Sequence, residues 1–465
     1  MSRKQELLYR VRNGGAMTRR DKLHLVLLLS MPAIFGQLST IVMQYIDTMM
    51  VGQLGANATA SIGLVSTTCW LFGGLTASIG AGFGVLVAQH IGARAYDAAR
   101  NVLRQSLMVC MALGVLVSLF CVSIHARLPL WLGGDPEVAV LSSRYFLIWS
   151  LTVPVMQLLF LSNGMLRSSG NMKVPMVLGV LMCLLDVFFN FLFIPLWGVA
   201  GAAFATTLAA ILTTACSFTY LITRSPELRL LGDRNALSVP KLRPDVPVIR
   251  RSLSIGLPMT VEHVVFCGAQ IACTIIVAPL GSVAIAANTI AIVVESLCYM
   301  PGYGIGDAAT TLIGQSYGAR RGDLIRAFSV LTVGLGMGVM TLLGIVMYFT
   351  APDLMRLMTP DLLVQAEGAV VLRIEAFAEP VYAASIVVYF VFLGLGDMLV
   401  PCVMNLASIW LVRIPLAAIL ARTMGLRGVW LAMCIELTVR GIIFLLRLRL
   451  KKITVEPQPA SAQSV

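Results

Sequence analysis

Apolar stretches of roughly 20 residues, each long enough to cross a hydrocarbon core of about 30 Å as a helix, recur along the chain from Leu25 to Leu446. No other feature constrains the fold as tightly, because backbone N–H and C=O groups in lipid find no water and must bond within the span. Composition agrees: with 58% hydrophobic and 12% charged residues, a chain of 465 residues has too little polar surface to dissolve as a globule. It needs lipid around it.

The net charge of +12 invites a nucleic-acid reading, but the basic residues sit in alternate loops. Arg3, Lys4, Arg10, Arg12, Arg19, Arg20 and Lys22 precede the first span; Arg94, Arg100 and Arg104 follow the second; Arg167 and Lys173 follow the fourth. The stretch from Arg224 to Arg251 follows the sixth, Arg320, Arg321 and Arg326 the eighth, and Arg447, Arg449, Lys451 and Lys452 the last. The positive-inside rule then places both termini in the cytoplasm and makes the number of spans even. Twelve fits the apolar runs, the basic segments become topology determinants, and no nucleic-acid partner is expected. Ten cysteines scatter singly without CxxC spacing and read as packing residues. The first 22 residues are basic, and the apolar run after them continues into a full span, so no cleaved leader is expected.

An internal repeat reports the architecture. Adding 226 to a position in the first half finds the same residue in the second: Pro32 and Pro258, Gly55 and Gly281, Gly80 and Gly306, Gln89 and Gln315, Arg94 and Arg320, Asp97 and Asp323, Pro154 and Pro380, Gly170 and Gly396. The segments HIGARAYD from His90 and SYGARRGD from Ser316 mark the same turn in each half. Six spans per half is an even number, so the halves are parallel repeats related by an axis along the membrane normal. The expected fold is an all-α membrane protein of twelve transmembrane helices in two six-helix bundles with that pseudo-two-fold symmetry. Helices are expected over 25–50, 58–89, 101–125, 140–165, 172–194 and 198–222, then 251–278, 284–315, 325–350, 366–393, 398–420 and 427–450. The organisation is a cytoplasmic segment 1–22, an N-lobe 23–222, a linker 223–249, a C-lobe 250–450 and a tail 451–465. A cleft between two such lobes is where substrate is expected.

Carboxylates inside a membrane are costly unless paired or hydrated. The first half has two deep in apolar runs, Asp47 and Asp186, with Asn190 one helical turn beyond Asp186 on the same face. Tyr145, Asn163 and Thr206 are candidates to add oxygens to such a cluster. Two acids in one low-dielectric pocket cannot both ionise cheaply, so one is expected to hold and exchange a proton. A ring of oxygens from Asp47, Asp186, Asn190 and Thr206 would equally suit Na⁺. The plainer alternative is that Asp47 caps its helix and Asp186 bonds only to Asn190.

The segments YIDTMMVGQLG from Tyr45, VAQHIGAR from Val87, GMLRSSGN from Gly164 and DVFFNFLFIPLWGVAGAAFATT from Asp186 resemble the multidrug and toxic compound extrusion (MATE) family, and their second-half counterparts extend the likeness over nearly the whole chain. The resemblance implies that Asp47 is the coupling carboxylate, with Tyr145, Asn163, Asp186, Asn190 and Thr206 around it. The order Asp186 then Asn190 reverses the Asn then Asp of archaeal and DinF-like members. The NorM-like branch carries an Asp in an FDG-type motif of helix 10, where this chain has Tyr382, so the likeness is nearer the DinF-like and archaeal type and no NorM-type cation site is assigned. The function implied is an ion-coupled antiporter exporting organic, cationic or amphipathic drugs for H⁺ or Na⁺, working as a monomer in the cell inner membrane without a cofactor.

The second half adds Glu262, Glu295, Glu375 and Glu379, with Arg373 and Arg413 as candidate ion-pair partners. Glu262, Glu295, Glu379, Tyr382 and Met43 are candidates for contacting a drug; the alternative is structural ion pairs and ordinary packing. Glu436 and Arg440, spaced i,i+4, read as a pair within helix 12. The four histidines are isolated, so a metal site is not expected, and no GxxxxGK[ST] segment occurs to bind ATP. Flipping a lipid-linked sugar precursor is the rival within the same fold superfamily. It calls for basic residues lining the cleft, and the first-half spans hold almost none. An intramembrane enzyme would need a nucleophile with its base, and no Ser/His, Cys/His or HExxH constellation is present.

Overall fold

The computed structural model describes residues 3–230 and 243–451. The middle of the expected lobe linker and nearly all of the expected tail lie outside the described residues. A short helix α1 (Arg3–Arg12) precedes the first half, which contains α2 (Arg19–Gly52), α3 (Ala56–Gly92), α4 (Tyr96–Ile124), a single turn α5 (Leu128–Trp131), α6 (Pro136–Ser168), α7 (Lys173–Trp197) and α8 (Val199–Thr223). The second half contains α9 (Val246–Val277), α10 (Ser282–Gly318), α11 (Gly322–Met358), α12 (Leu362–Glu375), α13 (Glu379–Leu395), α14 (Leu399–Ser408), α15 (Ile414–Met424) and α16 (Leu426–Leu450). No strand occurs among the described residues.

Among the described residues eleven spans are long and apolar enough to cross a membrane, and α12 with α13, meeting at a bend of 61°, makes a twelfth when the bent pair is taken as one span. Large apolar side chains stand on the outside of the bundle, Phe191 at 78% exposure and Phe349 at 73%. Water would penalise such a surface, and lipid does not. Local signals set the boundaries: Thr18 and Asp21 form a capping box that starts α2 before its first apolar residue.

The single helix expected over 366–393 is broken between Glu375 and Glu379. Pro380 cannot donate to the carbonyl one turn back, yet its repeat partner Pro154 lies inside the unbroken α6. Proline therefore permits the break without dictating it. The helix expected over 398–420 is also interrupted, by a π-helical turn at Ile409–Arg413 joining α14 to α15.

The duplication is visible in the backbone. Gly55 and Gly281 have φ of 102° and 96°, Gly170 and Gly396 have 88° and 76°, and the non-glycine pair Arg94 and Arg320 sits at 60° and 57°. The two-fold relation shows best where α3 crosses α10. A Cβ on Gly92 would meet the carbonyl oxygen of Gln315 at 2.0 Å, and one on Gly318 would meet that of Gln89 at 1.8 Å. The amides reciprocate too: Gln89 donates to Gly394 O at 3.1 Å, and Gln315 to Ser168 O at 2.9 Å.

These contacts close the lobes together on the face that carries the basic loops. The sequence assigned residues 1–22 no structure there, but α1 lies across that seal. Leu7, Leu8 and Val11 join a core with Leu25 and Leu29 of α2 and with Leu312, Leu324 and Phe328 of the C-lobe. Lys4 donates to Gly170 O at 3.2 Å, and Arg12 bonds Gln315 Oε1 at 3.1 Å, Ser169 O at 3.0 Å and Glu227 Oε1 at 2.9 Å. Burial lowers the pKa of the Lys4 ammonium, against the attraction of Glu227.

Candidate functional site: acids of the two lobes and the cavity between them

Asp186 and Asn190 face the same side of α7 because they are one turn apart, and α2 runs alongside, bringing Asp47 to them. The Asn190 amide donates to Asp47 Oδ1 at 2.7 Å and to Asp186 Oδ2 at 3.0 Å. Asp186 and Asn190 are buried, whereas Asp47 is half-exposed. Asp186 Oδ1 and Asn190 Oδ1 are buried with no hydrogen-bond partner among the described residues. Two carboxylates bridged by one amide repel each other unless a proton or small cation lies between them. The unsatisfied oxygens are acceptors, the donor chemistry that a proton or a hard cation requires. No cluster of three or more His, Cys, Asp or Glu side chains suited to a metal occurs among the described residues, so any Na⁺ ligation would draw on amide and hydroxyl oxygens.

The other N-lobe candidates divide. Tyr145 packs against Val51, Ile194 and Ala202, the apolar layer one turn beyond Asp47, Asn190 and Thr206. Thr206 donates to Ala202 O at 3.2 Å, which leaves its oxygen able to accept. Asn163 does not join: its Oδ1 accepts from Ser217 Oγ at 2.8 Å. It lies five residues from the end of α6 and Asp186 thirteen from the start of α7, a difference in depth of about 12 Å at the α-helical rise. Met43 sits one turn from Asp47 and does not line the cavity between the lobes.

That cavity, of about 320 Å³, is walled by α3 of one lobe and by α9, α10, α13, α14 and α16 of the other. Glu262 reaches it with both oxygens engaged, Oε2 accepting from Tyr389 Oη at 2.7 Å and Oε1 from Asn405 Nδ2 at 2.6 Å. Tyr382 also lines it, together with Trp70, Tyr303, Phe390 and Arg440. Glu295 and Glu379, expected to contact a drug, do not line it. With Glu375 they are buried within the C-lobe, and neither oxygen of Glu375 or Glu379 has a hydrogen-bond partner among the described residues. The ion pairs offered as the alternative are not made among the described residues: Arg373 donates to Tyr348 O at 3.2 Å and Arg413 to Met433 Sδ at 2.7 Å. Burial costs an ionised carboxylate several kcal/mol, and the charge of Arg413, felt by Glu295 and Glu375 without a direct ion pair, offsets only part of it.

Sequence reasoning missed Arg440 as a cavity residue because its i,i+4 spacing to Glu436 offered a complete explanation. The signal that finds it is cruder: an arginine ten residues inside a span is a site candidate in its own right.

The sequence profile of the MatE family matches residues 32–192 and 258–419, one match in each half of the duplication. A probable multidrug resistance protein NorM of Thermotoga maritima is 25% identical over 428 residues, covering 90% of each chain. Another of Rhizobium meliloti is 31% identical over 324 residues, covering 67% of each chain. A solved structure described as the outward-facing conformation of a multidrug resistance MATE family transporter of the MOP superfamily superposes with a TM-score of 0.88 at 22% identity, covering 97% of this chain and 98% of that one; at this identity the likeness speaks for the fold. A duplicated twelve-span frame matched in both halves, with intramembrane acids and an aromatic cavity between its lobes, makes this chain a member of the MatE family, whose proteins are transporters and not enzymes.

Proposed function

We propose that this protein exports organic, cationic or amphipathic compounds across a cell inner membrane in exchange for H⁺ or Na⁺. The observation that carries the reading is the Asn190 amide shared between Asp47 and Asp186 beside two unsatisfied buried oxygens. A cation entering the cluster weakens the bond that ties α2 to α7. Pro32, inside α2, removes one backbone hydrogen bond nearer the helix start, so the outer half of α2 is free to shift. Coupling follows if that shift changes the affinity for cargo. The basic loops put both termini in the cytoplasm, and the transporter works as a monomer without cofactor or nucleic acid. Within the family we place it nearer the DinF-like and archaeal type on the strength of Tyr382, although the relatives named above are called NorM.

The test is ethidium efflux from proteoliposomes under an imposed ΔpH, then under an imposed Na⁺ gradient. One gradient drives efflux, and Asp47→Asn removes the driven component while the protein stays folded. Wild-type rates from Asp47→Asn would overturn the reading.

A further inference from the structure

Arg373 lies two residues before the break between α12 and α13 and does not line the cavity between the lobes. A guanidinium carries five N–H donors and no acceptor. One is used: Nε donates to Tyr348 O at 3.2 Å, and the guanidinium rests over the Tyr348 ring, 5.6 Å from its centroid. No hydrogen bond or ion pair joins its terminal nitrogens to a described residue. An arginine within a span is costly until its charge and donors are met, and here the chain does not meet them.

Beside the arginine lies a groove of about 300 Å³ on the outside of the C-lobe, with Thr341, Ile345, Tyr348 and Phe349 of α11 on one wall and Phe377 and Pro380 of the bend on the other. Tyr348 joins the walls, its ring meeting that of Phe377 at 5.7 Å. Ile345, Phe349 and Phe377 are exposed, so the groove opens toward lipid, and the Thr341 hydroxyl is spent on Met337 O. Depth orients it. The 37 residues of α11 span about 55 Å, so a centred hydrocarbon core of about 30 Å stops about 12 Å short of either end. Tyr348 precedes Met358 by ten residues, about 15 Å, which puts it just inside the edge away from the basic loops. Beyond it Asp353 and Arg356 pair in the open at 3.3 Å. Thr341 lies two turns deeper than Tyr348, about 10 Å nearer the midplane.

We propose that this groove is a binding site for one phospholipid of the leaflet away from the basic loops. The phosphodiester accepts from the Arg373 terminal nitrogens, a fork suited to bidentate phosphate contact. One acyl chain runs inward from there along Ile345, Phe349 and Phe377 toward Thr341. Donors at the hydrocarbon edge and an apolar channel leading to the midplane match the charge, the shape and the direction of a lipid in that leaflet. The site is separate from the acids of both lobes and from the cavity between them.

Native mass spectrometry of the delipidated full chain in detergent, titrated with dioleoylphosphatidylglycerol, counts the lipids that stay bound. The basic loops of the other face also retain anionic lipid, so the quantity read is the difference between wild type and variant. Arg373→Gln loses one lipid per chain, its site weakened about tenfold as loss of a charged hydrogen-bond donor does. Arg373→Lys, keeping the charge but not the fork, recovers part of it. Ile345→Trp, which fills the groove and leaves Arg373 in place, loses the same lipid. Dioleoylglycerol, with the same chains and no phosphate, does not fill the site in the wild type. An Arg373→Gln protein, folded by its thermal scan, that keeps the wild-type count overturns the proposal. So does an unchanged count in Ile345→Trp, or dioleoylglycerol bound as tightly as the phospholipid. The count is read without gradient or drug, so it stands or falls apart from the export reading.

Discussion

In the N-lobe, α2 and α7 approach through glycines: a Cβ on Gly179 would lie 4.0 Å from the carbonyl oxygen of Gly36. At the equivalent places in the C-lobe, α9 and α14 meet through Glu262 and Asn405, hydrogen-bonded at 2.6 Å. Asn163, whose partner is Ser217, corresponds to Tyr389, which donates to Glu262. The other acids within the spans do not follow the repeat either. Asp47, Asp186 and Asn190 correspond to Cys273, Val412 and Leu416, while Glu295, Glu375 and Glu379 correspond to Cys69, Trp149 and Val153. The duplication preserves glycines, prolines and the reciprocal glutamines that set helix crossings, and lets the chemistry inside each bundle diverge. Exposure then separates the two acid groups. Asp47 is half-exposed, whereas Glu375 and Glu379 are buried in the C-lobe.

That contrast breaks most easily at its strongest point. Asp47→Asn lowers gradient-driven export about 100-fold, of the order of a full coupling free energy, whereas Cys273→Asp at the equivalent position restores nothing. Recovery of coupled efflux in the double variant would show that the lobes are interchangeable. A second effect tests the symmetry that is preserved. Gly92→Leu and Gly318→Leu each push a side chain into a backbone oxygen and destabilise the seal by about 1–3 kcal/mol. Thermal unfolding that differs between them by more than about 0.5 kcal/mol, the usual tolerance of additivity, would show the crossing to be asymmetric.

Glu379→Met probes the sealed acids. Replacing a buried, unpartnered carboxyl by an apolar side chain, as the N-lobe does with Val153, is expected to be neutral or stabilising by about 1–2 kcal/mol with coupled efflux retained; lost efflux would make these acids part of the transport cycle. The smallest effect is at Asp397, equivalent to the neutral Asn171 of the other lobe. Burial works to raise its pKa, but the hydrogen bonds and charges of Lys451 and Arg447 outweigh it and hold the carboxyl below its ordinary value. The stabilisation is therefore present in full above the ordinary carboxylate range and is lost as pH falls through the lowered value. For a partly exposed pair it amounts to about 1 kcal/mol or less. The difference in unfolding temperature between wild type and Asp397→Asn should narrow on acidification, and a gap that widens would contradict it.

Twelve spans, their grouping in sixes and the match of the halves were legible because hydrophobic length and repeat spacing are properties of the chain read in order. Asp47, Asp186 and Asn190 were legible as a trio because acids are scarce in apolar runs and i,i+4 spacing fixes a helix face. Asn163 was not, since depth along a neighbouring helix depends on where each helix begins. Glu295 and Glu379 had the same residue type as Glu262, and no pattern along the chain separates a glutamate in a cavity wall from one in a packed bundle. The basic, charged composition of residues 1–22 gave no hint that Leu7, Leu8 and Val11 would bury against the C-lobe, because the surface they cover is assembled from distant segments.

By itself, then, the amino-acid order determined the solvent this protein lives in, its number of crossings and its two-fold plan, since each follows from local hydrophobicity and self-similarity. The tertiary structure alone decided which acids share a donor, which face the cavity and which are shut away. Those outcomes depend on helix rotation, depth and the break between α12 and α13, and side chains of one type diverge in role once neighbouring helices supply or withhold their partners.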